Sequence, residues 1–571
     1  MKKATIWMLV AMMLMAMLAG CAQPAATTTP APADDAKEPA ADVEAPAEDA
    51  EETEEPAEDA EEPAAAIDIS ETMELEVSFC GSDDAWGPEV EIDKFGQFIM
   101  DKFNVTFKSR NVTWGDYGEK ANLWAASNDL PGMTTVDIVG GTTFFQWINE
   151  GVVRALPSDD VMQQFPTLYY NMNTAQVKAF RVNGVAYHMP RMTYPNPDWY
   201  CMDDGVYYRK DWLEALNLEW PTNEQEFIDM CVAFATQDPD GNGKDDTIGM
   251  GTITDPWPLW QPAFPQYGYN QGNLLVDENG VVTHSLADDD TLKVMSFYRK
   301  LNKAGGFDPD FLTNASDDDT DVKFCAGITG VYVRQTSPQH IWDRYKKWCN
   351  LQPDKDWFEC VGIVSADMWW DVEGVKDWGR INPTSHWSEY YFASDVSDEL
   401  LMRYLLVFDW MSSDEGMRFM GYGFEGEDWE YDEDGNMVSL LGTKEDGTAI
   451  TISDKYNNAK GASMCVWTGD MTQYINPNIP VEIRTWATAE RDRRIEKCPA
   501  PSTSFVLNSI NTDEKMDNTA NPSSDWELFI TDTSDKTDEE LFAEMKVKWE
   551  QLGLYAMLDS LTAEWQANYM D

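Results

Sequence analysis

The chain has 571 residues, a formal net charge of −61 and an aromatic content of 12%. So strong a negative field repels nucleic acid and anionic membrane surfaces, and we expect the folded body to bind neither. The length predicts more than one lobe, each with its own core.

The N-terminus has the pattern of an export signal followed by a spacer. Lys2 and Lys3 precede an apolar run of signal-peptide length that ends in "LAGC". This ending resembles the bacterial lipobox, which implies removal of residues 1–20 and a lipid on Cys21 that anchors the protein to the membrane. An ordinary secretory signal with an incidental cysteine is the alternative. Residues 21–66 are Ala, Pro, Glu and Asp with few large apolar side chains, which predicts a disordered acidic linker.

Strand and helix patterns alternate along the folded part, which predicts α/β layers with a largely parallel sheet. The first predicted elements, in chain order, are a strand at 75–82, a helix at 90–103, a strand at 104–114, a helix at 117–128, a strand at 136–141 and a helix at 145–156. Later helices are predicted at 224–236, 289–304, 398–412 and 539–557.

The cysteines give no sign of a metal cluster. Eight follow Cys21, scattered between Cys80 and Cys498, and none forms a CxxC pair. Disulfides outside the membrane and buried free thiols both remain open, because so many cysteines allow a large number of pairings.

Ordered blocks of sequence carry a family resemblance. They are "WGDYGEKANLWAASNDLPGM" (114–133), "INEGVVRALPSDDVMQQFPTL" (148–168), "VNGVAYHMPR" (182–191), "YYRKDWLEALNLEWPTNEQEFIDMCVAFATQDPDGNGKDD" (207–246), "VDENGVV" (276–282), "FYRKLNKAGGFDPDF" (297–311) and "YGFEGEDWEYDEDGNMV" (422–438). Together they resemble the extracellular solute-binding proteins of ABC transporters, family 1, and within it the large lipoprotein subgroup that includes alginate-oligosaccharide-binding proteins.

The resemblance implies a two-lobed α/β fold of the type II periplasmic-binding-protein kind, with the ligand cleft between the lobes. We expect an N-terminal lobe of residues 67–195 and 326–388, and a C-terminal lobe of residues 196–325 and 389–571. Two or three segments would cross between the lobes, and closure would be a hinge motion. The usual role of such proteins is to deliver a solute, most often a carbohydrate, to a membrane permease.

The stretch "DPDGNGKDD" has the spacing of a calcium loop, with oxygen ligands at alternate positions that suit a hard cation. The candidate ligands are Asp238, Asp240, Asn242, the Lys244 carbonyl and Asp246. In the alginate-binding relatives a Glu follows the last Asp and completes the shell, whereas Thr247 stands there in this chain. We predict a structural Ca²⁺ ion, with a metal-free polar turn as the alternative. "VDENGVV" and "YDEDGNMV" are predicted to be plain hairpin turns.

The 24 tryptophans exceed ordinary usage, and a surplus often lines sites that stack flat ligand faces. Trp86 follows the first strand, where open α/β sheets bind ligands. The predicted ligand-binding residues are Asp83, Asp84, Trp86, Trp257, Trp260, Trp369, Trp370, Trp387, Glu389 and Tyr390. For each aromatic residue, packing in a core is the alternative.

No catalytic motif is evident, because the four histidines are far apart and neither HExxH nor GxSxG occurs. We therefore predict a lipid-anchored binding protein of an ABC importer, without catalysis, that captures an oligosaccharide for permease subunits. It would lie on the extracellular face of the cell membrane, or on the periplasmic side if the organism has an outer membrane. The alternatives are a receptor for peptides or cationic solutes and, in another class, a surface glycoside hydrolase or polysaccharide lyase.

Overall fold

The computed structural model describes residues 67–203, 205–252, 263–269, 274–314, 317–380, 386–444, 449–499, 507, 510 and 522–568. Cys21, the acidic linker and the predicted ligand residues Trp257 and Trp260 lie outside this part. Within it, no helix is long and apolar enough to cross a membrane.

Two sheets organise the molecule. The strands, in chain order, are β1 Met73–Ser78, β2 Val105–Ser109, β3 Met133–Val136, β4 Met189–Met192, β5 Val206–Arg209, β6 Ile248–Gly251, β7 Leu274–Val276, β8 Val282–His284, β9 Thr329–Val333, β10 Val361–Ile363, β11 His386–Phe392, β12 Trp429–Tyr431 and β13 Met437–Ser439. The first sheet has the order β2-β1-β3-β11-β4, and the second has the order β10-β5-β9-β6.

Both sheets are mixed, so the expectation of a largely parallel sheet is wrong. In the first sheet β1 runs parallel to β2 and β3, but β11 runs antiparallel to β3 and β4. In the second sheet β9 is parallel to β6 and antiparallel to β5, which is antiparallel to β10. A strand such as β11 returns from far along the chain, and local alternation of strands and helices carries no information about its direction.

The remaining strands form the two expected hairpins, β7–β8 and β12–β13. In the first turn the Asp277 carboxylate accepts the backbone N–H groups of Asn279 and Val281 at 2.9 and 2.8 Å. Asp432 does the same for Asp434 and Asn436 at 3.0 and 2.8 Å. These Asx-type turns explain the acidic glycine loops without a metal ion.

Most predicted helices are confirmed, several with the expected bounds. The helices that contribute to the first core are Ser82–Trp86, Lys94–Phe103, Tyr117–Ala126, Thr142–Asn149, Asp159–Met162, Pro166–Met172, Ala175–Ala179, Asp398–Ser412, Asp414–Tyr422, Ile452–Lys455 and Ser463–Val466. Those on the second sheet are Lys210–Ala215, Glu224–Thr236, Asp289–Ala304, Asp317–Cys325, Pro338–Leu351, Trp357–Cys360, Val481–Lys497, Pro522–Thr531, Asp538–Gln551 and Leu554–Asn568. Thr468–Thr472 packs against Asp414–Tyr422.

Several predicted element bounds differ from the structure, among them the helix expected at 145–156, which ends at Asn149. The strand expected at 136–141 lies at β3 instead, because the residues after Val136 form the loop into the helix Thr142–Asn149. The helix expected at 539–557 is two helices, because Gly553 adopts a left-handed φ of 84° and ends the first one.

The cores divide the chain differently from the predicted lobe boundaries. The first core draws on residues from 75 to 189 and from 390 to 466, and the other two draw on 201–378 and 479–561. Strand β9, predicted for the N-terminal lobe, therefore lies in the second sheet. The helix Asp398–Ser412, predicted for the C-terminal lobe, packs on the first sheet. We call the first sheet with its core the first lobe, and the second sheet with its cores the second lobe.

Within the described residues, the chain passes between the lobes three times. It crosses from β4 to β5, from β10 to β11, and from the first core after Val466 to the third core at Ile479. The eight cysteines after Cys21 are all free, and seven of them are buried, with Cys349 exposed. Hydrophobic packing rather than disulfides therefore holds each lobe together.

Candidate functional site

Three tryptophans and a tyrosine from separate segments of the first lobe meet at one surface. The ring centroids of Trp114, Trp387 and Trp467 lie 5.4 to 5.7 Å apart, and Tyr117 lies 6.3 Å from Trp114. The rings are tilted or edge-on to one another, as aromatic pairs prefer. We call these four residues the aromatic cluster.

The cluster lies at the carboxyl ends of the parallel strands. Trp114 follows Val112, which bridges Cys80 just beyond the end of β1. Glu389 pairs with Val136, the last residue of β3, so Trp387, two residues earlier on the antiparallel β11, lies beyond that end. This edge is where open α/β sheets bind ligands.

Part of the cluster is open to solvent. Trp114 is 51% exposed, and Trp387 and Trp467 are half-buried. A ligand that covers the exposed face of such a large aromatic ring lowers the free energy of the complex. The site therefore suits a flat amphipathic ligand.

The Arg191 guanidinium packs against two rings of the cluster. It is 3% exposed and lies 4.8 Å from the Trp467 ring centroid and 5.8 Å from that of Trp387. Its Nη1 donates to Ser388 Oγ at 2.7 Å, and its Nη2 donates to the Met464 carbonyl at 2.5 Å. One side chain therefore joins β11 to the segment that carries Trp467.

Two residues at the same place have strained backbone conformations. Trp467 and Ser388 are non-glycine residues with left-handed φ angles of 55° and 59°, and the β11–β4 register is irregular between His386 and Glu389. Such conformations cost on the order of 1–3 kcal/mol each and are frequent at ligand sites. The surrounding contacts, above all those of Arg191, must hold them.

Three acidic side chains surround the cluster. Burial and the charge of Asp137 raise the pKa of Glu389 to about 8, although its carboxylate accepts the Ile138 N–H at 3.3 Å and the Tyr391 hydroxyl at 3.2 Å. Burial raises the pKa of Asp470, which accepts the Trp467 indole N–H, to about 6. The Asp137 side chain is exposed, and desolvation by neighbouring atoms raises its pKa above the usual value.

The structure brings only some of the predicted ligand-binding residues together. Of these, Trp387 belongs to the aromatic cluster. Glu389 and Tyr390 follow it on β11 but are buried, at 1% and 2% exposure, and the Tyr390 hydroxyl donates to the Cys465 carbonyl. Trp86 lies away from the surface, because it is 4% exposed and stacks on Phe107 at 4.4 Å.

The other predicted residues fall elsewhere. Trp369 is 6% exposed and packs in the second core, 5.0 Å from Phe264, with the half-buried Trp370 beside it. Asp83 and Asp84 lie in the short helix that carries Trp86. Sequence reasoning missed Trp114, Tyr117, Trp467, Arg191, Asp137 and Asp470. Their signal was weak, since they come from distant segments that only the fold brings together.

The predicted calcium loop, Asp238–Asp246, wraps around the side chain of Asn242. The Asn242 amide donates to Asp240 Oδ2 at 2.7 Å and to Asp246 Oδ1 at 3.0 Å. Asp238 Oδ1 accepts the Asn242 backbone N–H at 3.1 Å. In the part of the chain that the structure describes, no three acidic, histidine or cysteine side chains form a group placed to hold a metal ion.

The donor set of this loop nevertheless fits a hard cation, because two carboxylates, those of Asp240 and Asp246, converge on one small amide group. The Thr247 hydroxyl takes no part, since it donates to the Phe234 carbonyl at 2.8 Å. The Lys244 backbone N–H donates to Asn242 Oδ1 at 2.8 Å, so this oxygen already faces the inside of the turn.

Comparisons with known proteins fit this architecture. No family model matches the chain. It is 27% identical over 378 residues to Lipoprotein LipO of Bacillus subtilis, covering 62% of this chain and 67% of LipO. It is 25% identical over 234 residues to the polygalacturonan/rhamnogalacturonan-binding protein YtcQ of the same organism, covering 40% and 44%. It is 28% identical over 204 residues to the fructooligosaccharide ABC transporter substrate-binding protein FusA of Streptococcus pneumoniae, covering 34% and 37%. The chain thus spans less than half the length of the last two.

Solved structures share the fold over nearly their whole length. A FusA EF-hand mutant with fructo-nystose matches 87% of this chain and 100% of its own, with TM-score 0.59 and 18% identity. An HMO-binding solute-binding protein of Bifidobacterium longum infantis matches 88% and 99%, with TM-score 0.60 and 15% identity. The alginate-binding protein AlgQ2 without calcium ion matches 87% and 99%, with TM-score 0.59 and 16% identity.

Proposed function

We propose that this chain, whose fold and relatives are those of extracellular solute-binding proteins of ABC transporters, captures an oligosaccharide and delivers it to membrane permease subunits. The aromatic cluster is the observation that carries the proposal. Its three tryptophans present partly open faces at the carboxyl edge of the first sheet, where a sugar ring can stack. The relatives named for their ligands, YtcQ and FusA, both bind oligosaccharides or polysaccharides.

Capture would combine stacking with hydrogen bonds from sugar hydroxyls to nearby carboxylates. Asp137 is an exposed acid whose charge acts on Tyr117 of the cluster, and its carboxylate would accept hydrogen bonds from sugar hydroxyls. The three crossing segments would act as a hinge, so that the second lobe closes over the bound sugar. Binding without a chemical step is sufficient for this role, and the named relatives are substrate-binding proteins.

Isothermal titration against a panel of fructo-, manno-, human-milk and pectic oligosaccharides tests the proposal, with mass spectrometry of each glycan after incubation. Tight one-to-one binding of an unchanged glycan is the expected result. A cleaved glycan would instead identify a hydrolase or lyase. Failure of every glycan, with binding of peptides or cationic solutes, would identify the other type of receptor.

We also propose that Cys21 is lipidated and holds the protein at the outer face of the membrane. Support comes from the "LAGC" ending of the signal-like segment and from the similarity to a protein named as a lipoprotein. Expression of the full chain with radiolabelled palmitate should label the wild type, and Cys21→Ser should release unlabelled protein into the medium.

Finally, we propose that the loop Asp238–Asp246 binds Ca²⁺ as a structural ion. Asp238, Asp240, Asp246, the Asn242 side chain and the Lys244 carbonyl would supply the ligands. A bound ion would neutralise the carboxylates that share a single amide in the loop. One structural relative is named as an EF-hand mutant, which supports a loop of this kind in the fold.

A further inference from the structure

We infer that the aromatic cluster selects an uncharged oligosaccharide and rejects uronate-containing ones. The inference rests on the proposed function and adds the charge of the ligand to it. The relatives leave this charge open, because one is named for polygalacturonan and another for fructooligosaccharides. The distinction therefore depends on which ionisable groups of this chain reach the ligand.

The cation in the site is already engaged by the protein. Arg191 is 3% exposed, and both of its Nη atoms donate to protein oxygens, those of Ser388 and Met464. Its flat face packs against Trp467. A ligand carboxylate needs the free edge of a guanidinium for a two-point contact. Both Nη atoms of Arg191 are committed to protein oxygens, and its Nε, which has no hydrogen-bond partner among the described residues, is buried.

The nearest lysine on the adjoining helix is also engaged. Lys120 lies one turn after Tyr117, and its ammonium contacts Asp116 Oδ2 at 2.9 Å and the Asn111 carbonyl at 3.0 Å. Asp116 itself precedes the helix and cancels that charge locally. Neither Arg191 nor Lys120 is therefore placed to neutralise an acidic sugar.

The accessible ionisable group is instead a carboxylate. Asp137 follows Val136 and precedes Ile138, and both of these neighbours contact Glu389 of β11, by strand pairing and by a hydrogen bond of 3.3 Å. This places the exposed Asp137 at the edge that carries Trp387.

A second carboxylate, Asp470, accepts the indole N–H of Trp467, another ring of the cluster. Two acids thus flank the rings on which a sugar would stack. A ring hydroxyl can donate to either carboxylate, whereas a uronate group would face like charge in a partly desolvated site. The overall charge of −61 adds a repulsive field of the same sign.

The test compares a neutral ligand with its own oxidised form. The glycan that binds most tightly in the panel is oxidised so that its primary hydroxyls become carboxylates, and both forms are titrated against the full-length protein. We expect the oxidised form to bind more weakly by a factor on the order of 30, the size expected for like charges about 8 Å apart at a partly buried site. Higher NaCl concentrations should reduce this factor, because salt screens the repulsion.

Charge-neutral variants identify the source of the selectivity. Asp137→Asn should lower the ratio of the two dissociation constants by roughly threefold to tenfold, since it removes one like charge and keeps a hydrogen-bond acceptor. Asp229→Asn, an exposed acid on the Glu224–Thr236 helix of the second lobe, is the matched control and should leave the ratio unchanged. Asp470→Asn should also lower the ratio, because it removes the like charge that contacts a different ring of the cluster, Trp467.

The outcomes separate the inference from the proposed function. Equal or tighter binding of the oxidised glycan would overturn the inference and leave oligosaccharide capture standing. Preferential binding of a deacetylated, cationic chitin oligosaccharide over its neutral acetylated form would overturn it in favour of a cationic ligand. Binding of no carbohydrate at all would overturn the proposed function, and the inference with it.

Discussion

Replacement of Trp114 by alanine should weaken glycan binding strongly while leaving the fold intact. A tryptophan buries up to roughly 250 Å², and its 51% exposure leaves roughly half of that area for a ligand. Coverage of about 80 Å² at ~25 cal/mol per Å² contributes about 2 kcal/mol, which corresponds to a roughly 30-fold increase in Kd. The loss of stability should be small, because half of the side chain already faces water.

The assay is isothermal titration of Trp114→Ala with the best glycan of the panel, together with a thermal melt of the free protein. Trp342→Ala is the matched control, since Trp342 is also half-buried and stacks on Tyr345 at 5.0 Å on a helix of the second lobe. It should lose stability to a similar degree and keep its affinity. If Trp114→Ala binds within threefold of the wild type, the cluster is not the sugar site and the reasoning fails.

Three further predictions concern the support of the site and of the loop. Arg191→Met should lower the unfolding free energy by about 2–4 kcal/mol in urea titrations, because two charge-assisted hydrogen bonds are lost. Arg191→Lys should restore little of this stability, since an ammonium cannot span both acceptors. Full stability of either variant would contradict the bridging role of Arg191. Glu389 has its pKa raised to about 8 from a usual 4.5, so its contribution to stability is greatest below about pH 4.5 and is lost as the pH rises through 8. Glu389→Gln should therefore gain stability relative to the wild type between pH 5 and 8, by roughly 1–3 kcal/mol, and a pH-independent difference would refute this. A chelator should lower the melting temperature of the wild type but not of the double variant Asp238→Ala/Asp240→Ala, and a wild type that ignores the chelator would show that the loop is only a turn.

Much of the fold could be predicted from the sequence, because it depends on local patterns. The helices Glu224–Thr236, Asp289–Ala304 and Asp398–Ser412 have the predicted bounds, since each combines a polar N-cap with helical spacing of apolar residues. The two Asx hairpins were equally local. The lobe boundaries do not depend on local patterns, because strand pairing joins segments such as β3 and β11 that lie about 250 residues apart.

The candidate site shows the same division more sharply. The sequence by itself determined the class of protein, through ordered blocks and an excess of tryptophan, and it pointed to Trp387 and its neighbours. It could not separate a core tryptophan such as Trp86 from an open one such as Trp114, because each stands at or just after the end of a predicted strand. Only the tertiary structure decided this. Burial is a property of what packs on a side chain, and Phe107 covers Trp86 while the carboxyl edge of the sheet leaves Trp114 half open to water.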